Sequence, residues 1–451
     1  MNRQKLHVTF LIFSSALGLS VAFNNCSNTG FQTKSIDSNL LPSQSTSPTP
    51  SPSPTQSVAT AVINKIDITV GGYGNEPYIS VTICQPGTTN CVTIPNLLLD
   101  TGSTGLRIFS SALPANFLAA VPASNSGECY FYADNAVQWG SVQSLDVVLG
   151  QEKAPNVPML IINNKFGDAG KSCYNNLVNA YIANKLLPTG TKCVSTNTQA
   201  QNPAGCPFFD SPGTNYNGII GLNFLVNDCG AGCAASAQNL LYYLCNNGNC
   251  ASSTMPVAQQ VSNPIGYMST DNNGLTLQLP AVPNNLGNNV TGVAYLGIGT
   301  QANNMPTGTT TLAADPNLAD QCYTFFRTTF NNNTTCGFLD SGTNVLLFPS
   351  PGAAVLPVDV ASGFYIPAAP KALTATNLGF NGTTSAVNFT IANVLNSLAN
   401  FNVLSQIGAE DPNGPIAGYF DWGLPFFLGR TVYIGVEGKT STIGSGFYWA
   451  Y

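Results

Sequence analysis

Leu98-Leu99-Asp100-Thr101-Gly102-Ser103-Thr104-Gly105 recurs in the second half of the chain as Phe338-Leu339-Asp340-Ser341-Gly342-Thr343-Asn344-Val345. Each copy is an apolar run leading into Asp-hydroxyl-Gly-hydroxyl, the pattern of a buried strand ending in a tight turn. Downstream of each stands an apolar pair with a glycine, Ile219-Ile220-Gly221-Leu222 for the first and Phe427-Leu428-Gly429 for the second. An internal repeat of this kind implies two similar halves, each delivering one carboxyl from a fixed turn. Two such turns facing each other would bring the carboxyls of Asp100 and Asp340 within reach of a shared proton, because like charges that close do not both ionise. One carboxylate could then take a proton from water while the protonated partner polarises a carbonyl. Ser103 and Thr343 would bond the outer carboxylate oxygens, and Thr101 and Ser341 would tie the turns together through the backbone. The alternative reading of the repeat is a pair of capped β-turns without catalysis.

The rest of the composition narrows the chemistry. The 451 residues include one histidine, His7. His7 falls in an N-terminal export signal, so the remainder of the chain runs no Ser-His-Asp or Cys-His mechanism and builds no His-ligated metal site. Formal net charge is −6, which argues against a nucleic-acid partner. Only 8% of residues are charged, so Asn, Ser, Thr and Gly must solvate much of the surface.

Arg3 and Lys5 precede a charge-free apolar run from Val8 to Phe23, too short for a comfortable membrane span and placed as in a signal peptide over residues 1–25. Cys26 follows and is the candidate lipidation site; the alternative is ordinary cleavage that leaves it a stray thiol. Residues 26–60 read as a Pro/Ser/Thr-rich linker with nothing to bury. Of thirteen cysteines, removing Cys26 leaves an even set, the arithmetic of up to six disulfides in an exported chain. Cys84/Cys91, Cys245/Cys250 and Cys322/Cys336 are plausible short-loop pairs; Cys229, Cys233, Cys245 and Cys250 read as disulfides rather than a zinc site. No metal and no cofactor is expected.

From Val62 onward, short alternating or apolar runs broken by Gly, Asn and Pro predict an all-β chain: Ile66–Val70, Ile79–Cys84, Leu145–Leu149 and Leu275–Leu279 are representative strands. Helical periodicity is confined to Asn176–Leu187, Ala235–Leu244 and Ile391–Phe401. Gly297-Ile298-Gly299-Thr300-Gln301-Ala302 reads as a β-turn rather than a dinucleotide loop, because Asn303-Asn304-Met305-Pro306 follows where a helix would start.

At the repeat the chain resembles the pepsin-like aspartic peptidases. Asp100-Thr-Gly-Ser-Thr and Asp340-Ser-Gly-Thr-Asn are similar to that family's two signatures, and Asn217-Gly-Ile-Ile-Gly-Leu222 to its apolar-apolar-glycine motif. Tyr132-Ala-Asp-Asn, Gly140 and Asp146-Val-Val-Leu-Gly150 resemble the hairpin that closes over substrate, with Tyr132 as the flap tyrosine. Phe420-Asp-Trp-Gly-Leu-Pro-Phe-Phe427 and the flap segment resemble an exported bacterial pepsin-like family. The resemblance spans residues 62–451. It implies an all-β, bilobal pepsin-like fold with a few short helices, an N-terminal lobe over 61–260 carrying cysteine-rich insertions at 150–215 and 225–265, and a C-terminal lobe over 261–451. Those insertions would narrow or cover the cleft. Arg107 stands where pepsins place a flap-supporting Trp and reads as a solvated or ion-paired strand residue. Asp421 reads as a turn residue near the second lobe's cleft.

The function implied is an exported aspartic endopeptidase with Asp100 and Asp340 as its dyad, supported by Thr101, Gly102, Ser103, Ser341, Gly342 and Thr343. The alternative is a catalytically silent pepsin-fold lipoprotein that binds a peptide or surface ligand in the same cleft. A two-carboxylate glycosidase would not require the repeat. Expected partners are a peptide or protein substrate and a membrane only through an N-terminal lipid anchor, with the protein a monomer at the outer membrane, cell surface or periplasm, or secreted.

Overall fold

Strict alternation in Lys65–Gly71 puts Ile66, Ile68 and Val70 inside and Lys65, Asp67 and Thr69 outside, the signature of a half-buried antiparallel strand. The strand that delivers Asp100 differs. In Cys91–Asp100 the last residues, Leu97, Leu98 and Leu99, are all buried. It runs between Pro77–Cys84 on one side and Gly218–Leu222 on the other, so a continuous apolar run is what its two covered faces demand.

The computed structural model describes residues 64–451 apart from 73, 185, 196–202, 204, 212–215, 318–321, 361 and 411–417. The expected signal segment, Cys26 and the linker lie outside the described residues. The fold is all-β, with two large sheets and a few short helices. A sixteen-stranded sheet carries the N-terminal half and continues through Lys65–Gly71 into Asn289–Leu296, Gly274–Leu279 and Arg430–Gly435. A seven-stranded sheet holds the strands around Asp340. Asn75 straps the halves together: its side chain donates to the carbonyls of Asn344 and Leu404 and accepts from the Leu404 amide, each at 2.8 Å.

Each expected strand lies within an observed one. The helices fare less well. The first is Lys171–Ala183, shifted toward the N-terminus of the expected segment. Ala235–Leu244 is not helical: Leu240 sits at φ +61°, the Asn239 side chain accepts from the amides of Leu241 and Tyr242, and the chain turns into strand Tyr242–Asn246. Ile391–Phe401 is also not a helix. Ile391 ends a strand, and the Val394 carbonyl takes the amides of both Ser397 and Leu398 in a turn. Both segments show that helix-period apolar residues can be buried by tertiary packing without a helix.

Six disulfides join Cys84–Cys91, Cys129–Cys173, Cys193–Cys206, Cys229–Cys233, Cys245–Cys250 and Cys322–Cys336, the number the cysteine arithmetic predicts. Cys129–Cys173 fastens the helix to strand Ser126–Phe131. Among the described residues no helix is long and apolar enough to cross a membrane.

Burial pushes three carboxyls, Glu76, Asp134 and Glu152, up to about 7. One oxygen of Asp134 and one of Glu152 lack any donor. A carboxyl raised on folding stabilises fully below its unfolded value and loses that contribution as pH climbs to its folded value. Melting temperature should therefore fall between about pH 5 and about pH 8, by on the order of 10 °C if each group contributes about 2 kcal/mol. Calorimetry across that range checks this; a melting temperature that rises would contradict it.

Candidate active site

The two Asp turns are built alike. The Asp100 Oδ1 accepts from the amides of Gly102 (2.8 Å) and Ser103 (3.2 Å), and Oδ2 accepts from the Ser103 hydroxyl at 2.5 Å. Asp340 repeats the set with Gly342 (2.8 Å), Thr343 (3.2 Å) and the Thr343 hydroxyl at 3.0 Å. The turns are locked to one another by reciprocal bonds. Thr101 Oγ1 donates to the Leu339 carbonyl and accepts from the Ser341 amide; Ser341 Oγ donates to the Leu99 carbonyl and accepts from the Thr101 amide. A hydroxyl serving as donor and acceptor at once leaves the relative position of the two turns little freedom. Gly342 is required at this junction, since a Cβ there would lie 2.7 Å from the Asp100 carboxyl carbon.

Both carboxyls are buried, and they lie close enough for the charge of Asp100 to act on Asp340. Burial first, and then the adjacent charge of Asp100, hold Asp340 protonated well above the usual carboxylate range. Two carboxyls sharing a proton titrate as a unit, and such a pair can supply a base and an acid at the same time.

The strand behind each turn settles the glycine motif. Asp100 is paired with Gly221 through the parallel strand Gly218–Leu222. In the other half, Phe338 and Leu339 pair with Asp421 and Trp422, so the glycine that follows is Gly423. A Cβ on Gly221 would lie 2.6 Å from the Ser103 carbonyl carbon, and one on Gly423 would lie 2.6 Å from the Thr343 carbonyl oxygen. Gly423, and not the expected Gly429, is the counterpart of Gly221. Phe427 and Leu428 instead close a short helix, Leu424–Phe427, that leads into strand Arg430–Gly435. Asp421 is likewise not in a turn: it is the middle residue of the buried strand Phe420–Trp422.

Tyr132 lies at the tip of the hairpin formed by Ser126–Phe131 and Ala136–Leu149. It is buried, its ring meets that of Tyr130 edge-on at 4.9 Å, and its hydroxyl donates to Gln138 Oε1 at 3.0 Å. Gln138 donates to Asp210, which also accepts from Tyr216. Phe208–Phe209 pairs in parallel with Ala136 and Val137. The first cysteine-rich insertion thus lies along the hairpin and fastens its tip.

Arg107 is fully buried and ion-paired, not solvated. Its guanidinium donates to both oxygens of Glu128, to Asp228 and to the Thr104 carbonyl, and stacks 3.4 Å over the Tyr130 ring. Tyr242 donates to the second oxygen of Asp228 at 2.6 Å. Glu128 and Tyr130 alternate along Ser126–Phe131 and share a face that rests on Arg107; Tyr132, just past the strand, packs on the Tyr130 ring. One cation therefore links the hairpin, the Asp100 turn and the loop carrying Asp228. Glu128 and Asp228 escaped sequence reasoning because their partner lies far off in the chain; the rarity of charge in this sequence was the available signal. Among the described residues no group of three or more His, Cys, Asp or Glu is arranged to hold a metal ion.

A solved structure similar to this one is the aspartic proteinase from Irpex lacteus, at 14% identity and a TM-score of 0.48, covering 86% of this chain and 96% of that one. No curated protein matches the chain. Residues 53–451 match the family described as "Protein of unknown function (DUF3443)", and the chain belongs to that family.

Proposed function

We propose that the chain is an exported aspartic endopeptidase in which Asp100 and Asp340 activate a water for attack on a peptide carbonyl. The observation that carries this reading is the duplicated turn: two buried, neighbouring carboxyls, each with its outer oxygen bonded by a hydroxyl, held by reciprocal Thr101 and Ser341 bonds. A pair of capped turns with only a structural role would not need two carboxyls forced together in a buried site. Tyr132 serves as the flap tyrosine over the substrate, and Arg107 as its support. The test is cleavage of an unstructured protein across about pH 3–8, with and without a peptide that mimics the tetrahedral intermediate. Cleavage blocked by the mimic is expected.

The second reading is a binding protein with the same fold. It draws on the fastening of the flap tip by Phe208–Phe209 and Asp210, which opposes flap opening. Binding of the mimic by folded protein without cleavage at any pH selects it. The six disulfides suit an oxidising compartment. We propose Cys26 as an acylated anchor at the outer membrane or cell surface; a Cys26→Ser variant that stays in the membrane fraction counts against it.

A further inference from the structure

The carbonyl four residues past each Asp is gripped by a buried side chain from outside the turn, and the two halves supply that grip differently. In the first turn the Thr104 carbonyl accepts from Arg107 Nη1 at 2.7 Å, a donor three residues further along the strand Thr104–Phe109. The residue in the place of Arg107 in the second half is Leu347, buried and with no donor to offer. The matching carbonyl, that of Asn344, accepts instead from Asn75 Nδ2 at 2.8 Å, and Asn75 belongs to the first half. Asn75 takes the left-handed conformation, at φ +57°, which Asn adopts more readily than most residues. Its buried carboxamide also donates to the Leu404 carbonyl and accepts from the Leu404 amide, both at 2.8 Å. The Asn75 amide donates to the Asn402 carbonyl at 2.7 Å. A carboxamide supplies two donors and an acceptor from one planar group, which is what these three backbone partners require.

We propose that Asn75 is a positioning residue of the Asp340 turn, doing from the opposite half what Arg107 does for the Asp100 turn; its effect on hydrolysis rests on the reading of Asp100 and Asp340 as a catalytic pair. The path from Asn75 to the carboxyl is short. Asn344 follows Thr343, whose amide (3.2 Å) and hydroxyl (3.0 Å) both donate to Asp340. The Thr343 carbonyl is itself held by the Leu424 amide at 2.7 Å. With two successive carbonyls held, the backbone at Thr343 and Asn344 has little freedom to rotate, and the hydroxyl stays aimed at Asp340 Oδ2. Because the grip comes from the other half, it also ties the place of Asp340 to the half that carries Asp100. Loss of the Asn75 side chain should therefore loosen the second turn alone, since Arg107 holds the first from within its own half.

The experiment compares the wild type with Asn75→Gly, which tolerates the left-handed backbone and removes the carboxamide. Amide hydrogen exchange is followed in the purified full chain, with rates referred to the slowest amides of the large sheet. The Gly342 and Thr343 amides, which donate to Asp340, should exchange about tenfold faster. The Gly102 and Ser103 amides, which donate to Asp100, should keep their wild-type rates. A merely structural clasp would speed all four together or none, and either outcome overturns the proposal. On a peptide substrate kcat should fall about ten- to a hundredfold with KM close to that of the wild type, because the reacting geometry is disturbed and not the binding of peptide. An unchanged kcat overturns the catalytic part. Should Asn75→Gly not fold, Asn75→Asp decides: its carboxylate still accepts from the Leu404 amide but brings no proton to the Asn344 carbonyl, and the same split between the two turns is expected. A wild type without turnover would end the dyad reading and leave the exchange test standing.

Discussion

Asp340→Asn is expected to lower kcat for peptide hydrolysis by at least about a thousandfold while leaving the melting temperature close to that of the wild type. The amide keeps the size of the carboxyl, and its oxygen can still accept from the amides of Gly342 and Thr343. The Thr343 hydroxyl, which now donates at 3.0 Å, can rotate to accept instead. What the variant removes is the proton shared with Asp100, an interaction needed as charge develops on the attacked carbonyl and hence absent from the folding balance. Asp100→Asn should behave alike, since the Gly102 and Ser103 donors around it are the same set and neither acid can replace the other. Full activity in either variant, measured on purified folded protein, would show that hydrolysis arises elsewhere.

The second large effect belongs to Arg107. Arg107→Met leaves Glu128 and Asp228 buried with no counter-charge, and breaking a buried pair in this way costs about 3–5 kcal/mol. Asp228 already has its carboxyl raised well above the usual range, by burial first and by the Glu128 charge beside it. Chemical unfolding should therefore show a large loss of stability. The loss should be recovered in part by adding Glu128→Gln and Asp228→Asn, because the buried charges go with the cation. Hydrolysis should not recover in that triple variant, since the Tyr130 and Tyr132 face loses the guanidinium on which it rests. Recovery of both stability and hydrolysis would reduce Arg107 to a structural ion pair.

How much of this was legible in the sequence depends on distance along the chain. The Asp-hydroxyl-Gly-hydroxyl repeat is local, and its turn chemistry follows from residues two and three positions on. The pairing of Thr101 with Ser341 could be inferred because the repeat implies a symmetric junction. The true partner of Gly221 could not be chosen locally. Phe427-Leu428-Gly429 is an uninterrupted apolar pair before a glycine, whereas Asp421 breaks the run before Gly423, yet parallel pairing with Asn333–Leu339 selects Gly423. The same limit hid the Arg107 cluster, whose acids come from a hairpin strand and a distant loop. Asp421 misled for a different reason: a carboxyl between aromatics reads as a surface turn, and only the sheet shows it facing inward. The helix in Lys171–Ala183 was found by its period, whereas Ala235–Leu244 was lost to the local capping of Asn239.

The central claim is that one proton shared by Asp100 and Asp340 drives hydrolysis. It is tested most directly by the pH dependence of kcat/KM on a short peptide, followed to the loss of both limbs. A bell-shaped profile is predicted, its acid limb set by the first carboxyl to ionise and its alkaline limb by the loss of the Asp340 proton, with hydrolysis abolished at every pH in Asp100→Asn. A folded wild type that binds the tetrahedral-intermediate mimic yet shows no turnover anywhere on that profile, or turnover that persists in Asp100→Asn, would contradict it.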